Sequence, residues 1–238
     1  MYKDMHGLGV ALVTPFKGDG GVDYEALARL VDAQLAGGTD FLCVLGTTAE
    51  TPTLTADEQR QVRRTVMERN VGSLPILLGV GGNSTQAVVD RLATDAMEGV
   101  DAILSVVPYY NKPTQAGMYA HFAAIAESTD LPIILYNVPG RTGVNMLPET
   151  TLRLAADFKN IVGIKEASGN LEQIETIISN RPAGFKVFSG DDGITLPLIS
   201  YGGSSVLSTM LVIGIIQGLN ITAAAESRPG GEEVPYAD

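Results

Sequence analysis

Eight short apolar runs recur along the chain: Val10–Thr14, Phe41–Leu45, Pro75–Gly79, Ala102–Val106, Pro132–Tyr136, Ile161–Lys165, Phe185–Ser189 and Ser205–Ser208. Each is too short for a helix and rich in Val, Ile and Leu. Near-continuous runs of this kind are what parallel strands buried on both faces look like. Such a sheet needs a covering layer, and the stretches between the runs carry helix signals. Asp23 stands as the N-cap of a helix over Tyr24–Ala36, closed by Gly37-Gly38. Thr55-Ala56-Asp57-Glu58 is a capping box opening a helix to about Asn70. Ser84 opens another that runs to Glu98, with Gly99 as its stop, and Pro148 sits at a further helix start, where its missing N–H costs nothing.

Strands alternating with helices, with no break in composition, predict one (β/α)8 TIM barrel over residues 1–208. A doubly wound open sheet is the runner-up. Against it, Gly79-Val80-Gly81-Gly82-Asn83-Ser84 follows a strand without matching the dinucleotide-binding glycine pattern, and no Walker sequence is present.

Composition narrows the function. The 238 residues carry a net charge of −11, which argues against nucleic acid and anionic membrane surfaces as partners. An anionic substrate must then be drawn in by local donors. The single cysteine, Cys43, lies inside an apolar run and reads as a small buried hydrophobe; the two histidines, His6 and His121, are too few for the common metal sites or triads. No metal is expected. Gly7–Val13 lacks the basic region and cleavage site of a secretory signal, so a cytoplasmic location is the default. Residues 193–225 hold no charge, but Pro197 and Gly202-Gly203 interrupt them and make a poor membrane span.

In barrels of this architecture the reacting groups lie on the loops after the strands. Lys165 closes the run Ile161–Ile164, so its amine would project into the barrel mouth. A lysine held away from water loses part of its preference for the charged form and becomes nucleophilic. Tyr136, ending the adjacent strand, is placed to shuttle protons for such an amine. Thr47-Thr48 offers hydroxyl and N–H donors to a carboxylate, and Arg141 can grip a second carboxylate in bidentate fashion. Each has a bland alternative: a surface lysine, a tyrosine packed at the rim, a turn, a surface ion pair. Their convergence on one rim favours a Schiff base with a small 2-keto acid.

The loops Gly46-Thr47-Thr48-Ala49-Glu50, Pro108-Tyr109-Tyr110-Asn111-Lys112-Pro113, Tyr136-Asn137-Val138-Pro139-Gly140-Arg141-Thr142 and Gly163-Ile164-Lys165-Glu166-Ala167-Ser168-Gly169 resemble the dihydrodipicolinate synthase (4-hydroxy-tetrahydrodipicolinate synthase) family, within the lyase group that includes N-acetylneuraminate lyase. The resemblance implies condensation of pyruvate with aspartate semialdehyde, on the way to diaminopimelate and lysine. It implies that Lys165 forms the pyruvate Schiff base, with Tyr136, Thr47 and Tyr110 as the proton relay and Tyr110 supplied by a neighbouring subunit of a homo-oligomer, a tetramer or dimer. Thr47 and Thr48 would hold the pyruvate carboxylate and Arg141 that of the semialdehyde. Gly190 would present a carbonyl to the second substrate, and Leu207 would line the pyruvate pocket. No cofactor is implied, because the lysine itself provides the electron sink. Ala49 replaces a glycine frequent in the family, which is tolerable where its φ is negative.

Arg141 with Tyr109-Tyr110 favours the synthase over its relatives, an N-acetylneuraminate lyase or a 2-keto-3-deoxy acid aldolase. After Ser208 the resemblance stops. In place of a charged eighth helix and a helical C-terminal extension, residues 209–238 form an atypical uncharged segment followed by an acidic tail expected to be disordered. An incomplete eighth helix leaves a second class of reading open: a shortened chain without activity.

Overall fold

A computed structural model describes residues 3–95 and 97–190. Seven of the expected strands form there, as β1 (Gly9–Ala11), β2 (Phe41–Val44), β3 (Ile76–Gly79), β4 (Ala102–Val106), β5 (Ile133–Asn137), β6 (Ile161–Glu166) and β7 (Lys186–Ser189). They make one sheet in chain order, every neighbouring pair parallel. The eighth expected strand, Ser205–Ser208, lies outside the described residues, as do Leu207 and the segment 209–238. β1 is shorter than its apolar run. Leu12 still donates to the Cys43 carbonyl at 3.0 Å, but Pro15 has no N–H with which to continue the ladder.

The connections are helices α1 (Tyr24–Ala36), α2 (Ala56–Asn70), α3 (Thr85–Thr94), α4 (Gln115–Glu127), α5 (Pro139–Thr142), α6 (Pro148–Asp157) and α7 (Leu171–Asn180). The signals that open them work as read. The Asp23 carboxylate accepts from the Ala26 N–H at 2.9 Å, and Thr55 and Glu58 exchange both bonds of the capping box. The expected extension of α3 to Glu98 is not observed. The helix stops at Thr94, where Asp95 turns extended and its carboxylate meets Arg91 Nε at 3.1 Å. Continuing would have set Asp95 and Glu98 at the negative end of the helix dipole, which disfavours acids.

Strands β2, β3 and β5 are buried at every position, which accounts for runs without polar alternation. Alternate residues on one face (Phe41, Cys43, Leu77, Ala102, Leu104, Ile134 and Tyr136) pool into a single interior cluster with Met5 and Phe188. That pooling means the sheet is curled. Phe41 on β2 and Phe188 on β7 meet edge to face at 5.7 Å. Five strand spacings of about 4.8 Å each would hold them roughly 24 Å apart in a flat sheet. At the same edge, Lys186 donates to the Met5 carbonyl at 2.6 Å and pairs with Asp4, both just ahead of β1.

Candidate active site

A parallel sheet places the C-terminal ends of all its strands on one rim, so the loops singled out above share one end of the molecule. The closest grouping is at β5, β6 and β7, where Tyr136 pairs with Lys165 and Lys165 with Phe188. Lys165 is half-buried, and its ammonium nitrogen sits 4.7 Å from the centre of the Tyr136 ring. Its charge is also felt across the interior at Cys43. Burial pushes that thiol's pKa up, and the lysine pulls it the other way.

Lys165 reaches the interior because β6 is irregular. Ile133 pairs with Ile161, yet the next residue, Ile134, pairs with Gly163, leaving Val162 as an extra residue. Strict alternation from Ile161, which faces outward with Ile133, would carry Lys165 outward too, because a one-residue slip exchanges the two faces. The bulge reverses the parity and turns the lysine inward.

Gly190 follows β7, with its N–H on the Glu166 carbonyl at 2.8 Å. A β-carbon there would lie 2.7 Å from Lys165 Cε and 2.9 Å from Cγ, so the lysine stem occupies the space of the missing side chain.

Thr47 and Thr48 are exposed in a 3-10 turn, Thr47–Ala49, directly after β2. Ala49 has no positive φ, as its methyl requires, and its carbonyl accepts from the buried Thr14 hydroxyl at 2.7 Å. The turn is held by groups the sequence did not flag. Leu45 adopts φ +54, Thr51 donates to the carbonyls of Leu45 and Gly46 at 3.0 Å each, and Gly79 leaves room for the Leu45 carbonyl, which any β-carbon would strike.

Arg141 lies in α5 with its guanidinium exposed and without an ion pair or hydrogen bond among the described residues. Tyr110 is 85% exposed at φ +71, and its N–H reaches the Thr142 carbonyl at 3.4 Å, tying the β4 loop to α5. Thus Lys165 stands between Tyr136 and Gly190, within contact range of each. Thr47, Thr48, Arg141 and Tyr110 lie on loops that follow β2, β4 and β5 at the same end of the sheet.

The site also contains residues that sequence reasoning passed over. Glu166 and Asn137, next in chain to Lys165 and Tyr136, are buried on the opposite face and bonded to each other at 3.1 and 3.2 Å. A carboxylate ending an apolar strand was the available signal. Among the described residues, no group of three or more His, Cys, Asp or Glu could hold a metal, and no helix is long and apolar enough to cross a membrane.

An inward lysine at the rim of a curled parallel sheet, beside a tyrosine, defines an α/β scaffold of the class I aldolase type, in which an amine does the work of a cofactor. Comparison with known proteins makes the assignment specific. Residues 4–224 match the dihydrodipicolinate synthetase family, and the chain belongs to that family. It is 65% identical over 206 residues to the 4-hydroxy-tetrahydrodipicolinate synthase of Phocaeicola vulgatus, covering 87% of this chain and 69% of that one. The dihydrodipicolinate synthase of Thermotoga maritima superposes with a TM-score of 0.80 at 42% identity, over 92% of this chain and 78% of the other. The Acinetobacter baumannii synthase solved with pyruvate is 45% identical with a TM-score of 0.75, over 78% and 64% of the two chains.

Proposed function

We propose that this chain is a 4-hydroxy-tetrahydrodipicolinate synthase, condensing pyruvate with aspartate semialdehyde through a Schiff base on Lys165. The observation that carries the reading is the inward lysine, its stem against Gly190 and its amine over Tyr136. The 65% identity to a relative of that name supports it. In this mechanism Lys165 Nζ, as the free amine, adds to the C2 carbonyl of pyruvate, and the carbinolamine loses water to give the iminium. The iminium acidifies the neighbouring methyl carbon, which gives up a proton to the relay, and the resulting enamine attacks the aldehyde. Tyr136 passes the protons that these additions and eliminations need, with Thr47 and Tyr110 completing the relay. Thr47 and Thr48 hold the pyruvate carboxylate, and Arg141 meets that of the semialdehyde, for which its unpaired guanidinium is suited. Gly190 presents its carbonyl to the second substrate; Leu207, expected to line the pyruvate pocket, lies outside the described residues.

The domain reading that goes with this mechanism is a barrel over residues 1–208, whose eighth strand, Ser205–Ser208, lies outside the described residues. The chain works as a homo-oligomer, a dimer or tetramer, in which the exposed Tyr110 enters a neighbour's site.

The test is reduction with borohydride in the presence of pyruvate, followed by peptide mass analysis. Adduct is expected on Lys165 and absent from Lys165→Ala. Adduct on another lysine, or condensation by Lys165→Ala at the normal rate, refutes the mechanism. Cleavage of N-acetylneuraminate by the wild-type chain would move it to the sister activity.

A further inference from the structure

Directly behind the lysine lies a buried carboxylate that the reaction does not use. Glu166 is 1% exposed and Asn137 is fully buried, and no ion pair to Glu166 exists among the described residues. Burying an unpaired carboxylate is costly, so its hydrogen bonds must offset the loss of water. Its two oxygens share one Asn137 N–H, while one accepts from the Ser168 backbone at 2.9 Å and the other from Gln173 Nε2 at 3.1 Å. Asn137 Nδ2 also donates to Asn145 at 2.8 Å, and its carbonyl oxygen accepts from the Met146 N–H at 3.0 Å. Gln173 closes the ring, accepting from Asn145 Nδ2 at 2.8 Å.

The place of this cluster in the register matters more than its size. Asn137 pairs with Glu166 one step beyond Tyr136 with Lys165. A strand's side chains alternate faces, so the polar pair sits behind the reactive pair on the same two peptide steps. An apolar pair would hold two strands together as well. Hydrogen bonds add direction, and they add it just past the Val162 bulge, where the register has already slipped once. Through Asn145 and Met146 the cluster also anchors the end of the loop that begins at α5 with Arg141.

We propose that Asn137 and Glu166 are positioning residues: a buried clamp that locks the β5–β6 register and so sets the Lys165 amine against Tyr136. The proposal rests on Lys165 being the nucleophile. Its test uses the full chain and three variants, Glu166→Gln, Asn137→Asp and the double exchange N137D/E166Q. For each, the rate of pyruvate-adduct formation at saturating pyruvate, the modified lysine, the pyruvate affinity and the thermal midpoint are measured. Misplacing a reacting atom by a fraction of an ångström slows chemistry more than it weakens binding, so each single variant should trap at least about tenfold more slowly with pyruvate affinity within about threefold. The double exchange restores a carboxylate–carboxamide pair and should recover most of the rate. Wild-type rates in folded Glu166→Gln, or no recovery in a folded double exchange, overturn the clamp. Absence of wild-type adduct on Lys165 instead overturns the functional reading itself. If Glu166→Gln does not fold, Gln173→Met removes one donor from outside the pair and should still slow trapping measurably. A wild-type rate there also overturns the proposal.

Discussion

Lys165 and Gly190 are a pair in which one residue's side chain depends on the other having none. The lysine stem is flexible, so a methyl at 190 would displace it rather than unfold the chain, since the overlap is at Cε and Cγ. Gly190→Ala is therefore expected to keep its thermal midpoint within a few degrees while slowing adduct formation by about tenfold, or roughly 1.4 kcal/mol. Unchanged trapping would mean that the stem has room the structure does not give it. A Gly190→Ala protein that loses its midpoint together with its rate would instead assign the glycine to folding.

Among the elements, α3 and α4 are joined by a histidine rather than by apolar contacts alone. His121 is 4% exposed, with Nδ1 2.8 Å from the Thr85 hydroxyl and its ring edge to face with Phe122. Its Nε2 is buried without a partner, and desolvation lowers its pKa to about 4. The folded protein thus keeps the ring neutral, while the unfolded chain takes up a proton near pH 6.5. The contribution is complete above 6.5 and lost as the pH falls toward about 4, at most about 3 kcal/mol in all. Carboxylates such as Glu58, held low by the Thr55 N–H and hydroxyl, add a background common to any variant. Thermal midpoints between pH 7 and pH 4 should fall more steeply for the wild type than for His121→Gln. Parallel slopes would show that the ring is protonated in the fold.

At the scale of the whole molecule, the proposed mechanism has the exposed Tyr110 enter a neighbour's site, so one chain alone would hold an incomplete relay. Mixing inactive Lys165→Ala with inactive Tyr110→Phe tests this directly. In a symmetric pair that exchanges tyrosines, a mixed dimer has one intact site, so random reassociation should restore about a quarter of wild-type activity. No recovery, with mixed oligomers demonstrated by mass, would assign Tyr110 to its own chain's site, and a fully active Tyr110→Phe would place it outside the relay.

The strand runs, the helix caps and the loops bearing Lys165, Tyr136, Thr47, Thr48, Arg141 and Tyr110 were legible in the sequence because each is local. A run buried on both faces needs apolar residues throughout, and a cap needs its oxygen within a turn. The end of α3 was misread because the outcome turned on where Asp95 could place its charge. The inward face of Lys165 was expected from its position at the end of a strand, but alternation alone could not have secured it. It depends on the Val162 bulge, whose existence is decided by how two strands pair. Gly79, Asn137 and Glu166, and the fit of the Lys165 stem against Gly190, were invisible for the same reason. A glycine's empty space and a carboxylate's partners belong to neighbours distant in the chain, and only the curled sheet brings them together.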